Sequence, residues 1–259
     1  MACSAFGSAV RGRINTVSLF LVLCGILLGV LAPGCGAQTA PPPFERPYLT
    51  WQGDPCTTMT VNYQTVTAPK AVELRFDTVS RAGRPDDYSN RAIGASHQIE
   101  GLADKRSINS AELAGLKPGT RYFFVFQKGD GTFSKEYQSE TIANDGRMVR
   151  FVDGGDMGED PPAVALGRLA AAQNPAFVEI GGDIAYENGE LKNYETVDEW
   201  LCIWTDTMVA PDGRLIPLVA VIGNHEVNHE SGARERRAPF YYGYYPQGGK
   251  SHFVRDFGP

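Results

Sequence analysis

Sulfur and imidazole ligands are scarce in this sequence. It contains five cysteines and four histidines among 259 residues, and no Cys-x-x-Cys pair occurs. A thiolate zinc site is therefore not expected, because such sites are built from closely spaced cysteine pairs. An excess of positive charge is also lacking, since the formal net charge is −6 at pH 7. The composition thus gives no indication of a general affinity for nucleic acids.

The N-terminal residues differ in composition from the rest of the chain. Arg11 and Arg13 precede the apolar stretch INTVSLFLVLCGILLGVLAPG, and small residues follow it. This order predicts a signal peptide over residues 1–37, cleaved after Ala37, and hence an exported protein that is secreted or periplasmic. A second interpretation takes LAPGC as a lipoprotein signal that would place a lipid anchor on Cys35. A lasting membrane anchor is the third, although the apolar run is short for a membrane span.

A linker and an all-β pattern follow the leader. Residues 38–46 are rich in proline, which predicts the linker. Between residues 47 and 143, stretches such as TTMTVNYQTV and RYFFVFQKG combine apolar alternation or aromatic runs with turn signals such as LKPGTRY. Short strands of this kind predict a β-sandwich. The stretch AELAGLKPGTRYFFVF resembles the late strands of a fibronectin type III-like domain.

The residues from 147 to 259 alternate between strand and helix patterns. RMVRFVDGGD, AFVEIGGD and LIPLVAVIGNHE are typical of apolar strands, whereas PPAVALGRLAAAQ and the segment from about residue 193 to residue 208 are typical of helices. The alternation predicts a parallel sheet with right-handed crossovers. The expected fold class is therefore an all-β sandwich followed by an α/β domain.

Each of the three predicted α/β strands ends in a glycine followed by a polar residue. The first two end in Gly-Gly-Asp, at Asp156 and Asp183, and the third ends in Gly-Asn-His-Glu, where Asn224 follows the glycine. The carboxyl ends of parallel strands meet at one edge of the sheet, where ligands bind in open α/β folds. Two carboxylates that meet there repel each other unless a cation or a proton offsets their charge. The pattern therefore predicts a site for one or two metal ions with hard oxygen ligands.

Taken together, the three motifs GDMG, GDIAY and GNHE resemble those of the calcineurin-like metallophosphoesterases. More narrowly, they are similar to those of the purple acid phosphatases. Gly158 stands where most of the superfamily has a histidine, and Tyr186 stands where the narrower family has its tyrosine. A fibronectin-like domain ahead of the catalytic domain also fits the larger members, so the resemblance covers most of the chain after the leader.

The resemblance implies an acid phosphatase that hydrolyses small phosphate monoesters at a binuclear metal centre. Asp156 and Tyr186 would ligate Fe(III), Asp183 would bridge both ions, and Asn224 would ligate a divalent zinc, iron or manganese ion. His225 would be the catalytic residue that contacts the phosphate. The cations would activate the attacking water and hold the charge of the transferring group.

Two later histidine motifs of the family, Val-x-x-His and Gly-His-x-His, are missing from this sequence. His229 and His252 lie in segments where no metal ligand is expected. We therefore expect the chain to be the front portion of a longer enzyme, truncated at its C-terminal side and inactive on its own. Two alternatives stay open. One is a phosphodiesterase or nucleotidase on the same scaffold, and the other is a non-catalytic short form that acts as a binding module.

Overall fold

Residues 45–258 are described by the structure, which is a computed structural model. The predicted signal peptide, the lipidation site at Cys35 and most of the predicted linker over residues 38–46 lie outside this range. Within the described part of the chain, no helix has the length and apolar character needed to cross a bilayer.

The N-terminal domain is a sandwich of two antiparallel four-stranded sheets. Its strands are Tyr48–Thr50 (β1), Thr58–Thr65 (β2), Glu73–Asp77 (β3), Asn90–Ile93 (β4), Ala95–His97 (β5), Ser107–Ala114 (β6), Arg121–Phe126 (β7) and Tyr137–Glu140 (β8). One sheet has the order β1-β2-β6-β5 and the other has the order β4-β3-β7-β8. Alternate residues of β2, namely Met59, Val61 and Tyr63, enter the core between the sheets, as the period of a strand requires. The predicted sandwich is confirmed.

The second domain contains a parallel three-stranded sheet with helices. Its elements are Phe151–Gly154 (β9), Pro161–Ala172 (α1), Phe177–Ile180 (β10), Tyr194–Thr207 (α2), Leu218–Ala220 (β11), Arg234–Arg237 (α3) and Pro239–Tyr244 (α4). The strand order is β11-β10-β9, with both pairs parallel. The predicted α/β fold is therefore confirmed. The third strand is shorter than its apolar pattern suggested, because only three of its residues pair with β10.

Burial differs between the two edges of this sheet. All three residues of β11 are buried, and α2 packs Trp200 and Trp204 into the same core. On the other side, Phe151 of β9 and two leucines of α1, Leu166 and Leu169, are exposed. The best-covered part of the sheet is therefore the part that carries the second and third polar motifs.

A buried ion pair joins the sandwich to α2. Arg106, just before β6, has a fully buried side chain, and its Nη2 donates a 2.8 Å hydrogen bond to Oδ2 of Asp198. Its Nη1 also donates to Oε1 of Gln64 at 3.0 Å. Burial alone would lower the pKa of Arg106, but the hydrogen bonds to Asp198 and Asp104 outweigh it and raise the pKa above its usual value. The ion pair therefore places two charged groups in the buried contact between the sandwich and α2.

Candidate metal centre

The two Gly-Gly-Asp loops lie side by side beyond the ends of β9 and β10. The parallel pairing of these strands runs from Phe151 opposite Phe177 to Gly154 opposite Ile180. Three backbone hydrogen bonds of 3.0–3.1 Å continue the contact past the strand ends, from the N–H groups of Asp156, Met157 and Gly158 to the carbonyls of Gly182, Asp183 and Ile184. The sheet therefore brings the two aspartate loops together at its carboxyl edge, as the sequence predicts.

Three of the predicted ligands have a left-handed backbone. The φ angles are 52° at Asp156, 51° at Asp183 and 55° at Tyr186. Non-glycine residues rarely adopt this conformation, which costs roughly 1–2 kcal/mol per residue. Strained backbone of this kind clusters at functional sites, where the surrounding structure maintains it. Among residues 45–258, four of the eight non-glycine residues with positive φ lie at this edge, the fourth being Asn188, and the other four lie elsewhere.

The phenol of Tyr186 contacts the carboxylate of Asp156. Its hydroxyl donates a 3.0 Å hydrogen bond to Oδ1 of Asp156. Burial and then the hydrogen bond to Asp156 raise the pKa of Tyr186, so the neutral phenol is favoured without a cation. A Cβ atom at Gly158 would lie 3.7 Å from Cδ2 of the Tyr186 ring. A side chain at position 158 would therefore point toward the ring of Tyr186.

The imidazole of His225 lies beside this pair. Its ring centroid is 4.5 Å from that of Tyr186, and its Nδ1 lies 2.5 Å from Oδ1 of Asn188. The Asn188 amide nitrogen donates to the carbonyl of Tyr186 at 3.1 Å, which fixes the amide orientation. Because Oδ1 accepts, Nδ1 carries the proton and Nε2 is the nitrogen left for a ligand. The backbone N–H of His225 also donates to Oδ1 of Asp183 at 3.0 Å.

The remaining polar candidates take less part in these contacts. Asn224 opens the Asn224–Glu226 turn with an exposed side chain that forms no hydrogen bond within residues 45–258. His229 and His252 are also exposed. The structure therefore places Asp156, Asp183, Tyr186 and His225 in one connected group, and Asn224 directly precedes His225 in the chain.

The donor set fits a hard cation, although it is small. Among residues 45–258, no group of three or more His, Cys, Asp or Glu side chains lies close enough together to hold a metal ion. The group at the sheet edge instead combines two carboxylates with a phenol and an amide, and oxygen donors of this kind suit hard metal ions. A cation would also offset the charge of the two neighbouring aspartates.

Sequence reasoning assigned no role to three further residues at this edge. Asn188 orients His225, and no sequence signal points to it. Glu226 accepts backbone hydrogen bonds from two loops, and its position three residues after Gly223 is the spacing at which a glutamate reaches back to a turn. Glu187 is buried, its Oε1 has no hydrogen-bond partner among residues 45–258, and burial raises its pKa to about 8.

Gly189 keeps the loop after β10 against the loop after β11. Its φ is 63°, and a Cβ there would lie 2.4 Å from the backbone N of Asn228 and 2.8 Å from the carbonyl O of Arg237. We expect Gly189→Ala to lower the free energy of unfolding by roughly 2–3 kcal/mol, from backbone strain plus overpacking. Urea unfolding followed by circular dichroism measures this change.

Gly115→Ala is the matched control for this substitution. Gly115 has a φ of 68° but nothing within 4 Å of the added Cβ, so only the backbone strain applies, at about 1 kcal/mol. Equal losses of stability in the two variants would show that the close approach at Gly189 has no effect.

Comparisons with known proteins agree with this architecture. Residues 44–141 match the family described as "Purple acid Phosphatase, N-terminal domain". No curated protein matches the sequence. The purple acid phosphatase from yellow lupin (Lupinus luteus) seeds is similar to the chain in structure, with a TM-score of 0.55 and 18% identity over 82% of this chain and 40% of that enzyme.

PhoD is a second similar structure, with a TM-score of 0.47 and 12% identity over 77% of this chain and 44% of PhoD. The chain spans about 40% of the length of the lupin enzyme. Residues 44–141 therefore match the family model of the purple acid phosphatase N-terminal domain, and the chain has the fold of the lupin enzyme over the part that they share.

Proposed function

We propose that this chain provides part of the active site of a metal-dependent phosphatase that hydrolyses phosphate monoesters. The observation that carries the proposal is the connected group of Asp156, Asp183, Tyr186 and His225 at the carboxyl edge of the sheet. Two carboxylates, a phenol and an imidazole with a free Nε2 provide ligands for cations and a contact for an anionic substrate. In line with its N-terminal pattern, we also propose that the protein is exported.

Four residues would hold the metal ions. Asp156 and Tyr186 are proposed as ligands of a ferric ion, Asp183 as the bridge, and Asn224 as a ligand of a divalent ion. When bound, the two cations would supply Lewis acidity toward the phosphate and toward the attacking water. The contact between the Tyr186 hydroxyl and Asp156 supports the first pair, because both oxygens already lie within 3.0 Å of each other.

His225 would contact the substrate through Nε2. Asn188 holds the proton on Nδ1, and the backbone N–H of His225 is held by Asp183, so the ring has a defined orientation. When protonated, Nε2 can donate to a phosphate oxygen or to the leaving-group oxygen, where negative charge develops. We propose that His225 is the catalytic residue and Asn188 its positioning residue.

The four proposed ligands are only part of the set that the resemblance implies. The chain spans about 40% of the lupin enzyme, and neither later histidine motif occurs in its sequence. We therefore propose that the 259-residue chain binds a ferric ion but turns over phosphate monoesters slowly or not at all on its own. The phosphatase activity would belong to a protein that supplies the remaining ligands.

The proposed ferric site has a spectroscopic test. We expect the 259-residue chain, loaded with ferric citrate, to show a visible absorption band from tyrosinate to Fe(III). Tyr186→Phe should abolish the band because it removes the phenolate oxygen while it keeps the ring. Tyr242→Phe is the control, since Tyr242 is a half-buried tyrosine of α4 without a hydrogen bond to the site. A band of equal strength in the Tyr186→Phe variant would contradict the assignment.

Inorganic phosphate tests the substrate side of the same site. Added phosphate should shift the visible band of the ferric-loaded chain, since it would bind at the same cations. The His225→Ala variant should retain the band but require a higher phosphate concentration for the shift. An unchanged phosphate titration in His225→Ala would remove the proposed role of His225 and leave the metal site in place.

A further inference from the structure

Glu226 connects two of the polar loops through its buried carboxylate. The residue is 1% exposed. Oε2 accepts hydrogen bonds from the backbone N–H groups of Gly223 at 2.6 Å and Asp183 at 2.9 Å, and Oε1 accepts one from Ile184 at 2.6 Å. One of these donors belongs to the turn of Glu226 itself, and the other two belong to the loop after β10. A single side chain thus satisfies three backbone donors from two segments.

The contact runs in both directions. Oδ1 of Asp183 accepts the backbone N–H of His225 at 3.0 Å, while Glu226 accepts the backbone N–H of Asp183. The space between the loops is filled, because a Cβ on Gly223 would lie 2.3 Å from Oδ1 of Asp183 and 2.9 Å from Oε2 of Glu226. Each of the two segments therefore accepts a backbone N–H group of the other through a side-chain carboxylate. They lie too close together for a side chain at position 223.

We propose that Glu226 is a positioning residue that sets the placement of Asp183 relative to Asn224 and His225. This inference rests on the proposed function, in which Asp183 is the bridging ligand. Hydrogen bonds to a charged acceptor are stronger than neutral ones, and buried N–H groups that lose their acceptor are costly. Glu226 therefore maintains the left-handed backbone at Asp183, whose φ is 51°.

Replacement of Glu226 by glutamine separates this role from side-chain size. Glutamine has nearly the same shape, but it places an amide NH₂ group against backbone N–H groups that face a carboxylate oxygen in the wild-type protein. At least one of the three donors at Asp183, Ile184 and Gly223 then lacks an acceptor. Groups that orient metal ligands typically change metal affinity 10–100-fold when they are mutated.

The test measures two properties of the 259-residue chain in the wild-type and Glu226→Gln forms. The first is hydrogen exchange of the backbone amides in the metal-free protein. Exchange should become at least about 10-fold faster at Ile184, or at both Asp183 and Gly223, depending on which oxygen the amide group replaces, with little change in the sandwich. The second is binding of Mn²⁺ by calorimetry, where the dissociation constant should rise at least about 10-fold.

Leu113→Ala is the control for a loss of stability without a change at the site. Leu113 is fully buried in the sandwich core and does not contact the polar loops. This variant should be destabilised as a whole while its metal affinity stays close to that of the wild type. Glu226→Asp is a second comparison, since it keeps the charge but is too short to reach all three donors. Its metal affinity should therefore lie between those of the wild type and of Glu226→Gln.

The outcomes distinguish this inference from the proposed function. Faster exchange confined to the three amides, together with weaker metal binding than in Leu113→Ala, would support the positioning role. Unchanged exchange in Glu226→Gln, or an equal loss of affinity in Leu113→Ala, would overturn it. If the wild-type chain binds neither Mn²⁺ nor Fe(III), the proposed function is wrong, whereas the exchange pattern still decides whether Glu226 couples the two loops.

Discussion

Asp183→Asn is expected to weaken the binding of metal ions by the chain more than about 100-fold. Asparagine keeps the shape of the side chain and an oxygen that can accept the backbone N–H of His225, as Oδ1 of Asp183 does at 3.0 Å. It removes a unit negative charge that would lie about 2 Å from the cations. The expected loss exceeds the 10–100-fold effect of outer partners, because a direct ligand is changed.

Calorimetric titration with Mn²⁺ and metal quantification after dialysis measure this effect. Asp153→Asn is the control, since Asp153 is an exposed aspartate within β9 and carries the same charge. The control should bind metal as the wild type does. Similar affinities for the Asp183→Asn variant and the wild type would show that Asp183 is not a ligand, and the proposed bridge would have to be abandoned.

Asp198→Leu is expected to lower the free energy of unfolding by roughly 3–5 kcal/mol. The carboxylate of Asp198 contacts the fully buried guanidinium of Arg106 through two nitrogens. Its removal takes away both hydrogen bonds of Asp198 to the buried guanidinium, while the contacts of Arg106 with Asp104 and Gln64 stay in place. Burial of an insufficiently compensated charge is among the most destabilising changes in a protein.

A double variant separates the cost of removing one partner of the ion pair from the net contribution of the whole pair. Arg106→Met combined with Asp198→Leu removes both charges and keeps apolar volume. It should be clearly more stable than Asp198→Leu alone, because replacement of a whole buried pair by apolar residues is often neutral. Chemical denaturation of the four forms gives the coupling energy. If the double variant loses as much unfolding free energy as the two single variants together, this account of the ion pair is wrong.

The fold was largely predictable because it follows from local patterns. The alternation in TMTVNYQT predicts a strand, and the structure places Met59, Val61 and Tyr63 in the sandwich core, although the polar residues on the other face of the strand are buried as well. The helix expected from about residue 193 to residue 208 is Tyr194–Thr207. The meeting of the loops at Asp156 and Asp183 follows from parallel pairing alone, because both motifs directly follow paired strands.

The contacts that orient the site were not predictable from the sequence. The hydrogen bond between Asn188 and His225 joins residues 37 positions apart, and it depends on a left-handed turn at Asn188 with a φ of 57°. The contact between Arg106 and Asp198 spans 92 positions and joins two domains. Such contacts arise from the packing of whole elements, and no local periodicity encodes them.

Anomalous diffraction from crystals soaked in Mn²⁺ or ferric citrate would test the central claim most directly, since it locates metal ions without any assumption about activity. We predict an anomalous peak at the carboxyl edge of the sheet, within about 2.0–2.2 Å of oxygens from Asp156, Asp183 and Tyr186. The hydroxyl of Tyr186 should at the same time lose its hydrogen bond to Asp156, which is 3.0 Å long in this structure. Crystals that show no peak at this edge at saturating metal, with the Tyr186–Asp156 hydrogen bond intact, would contradict the account.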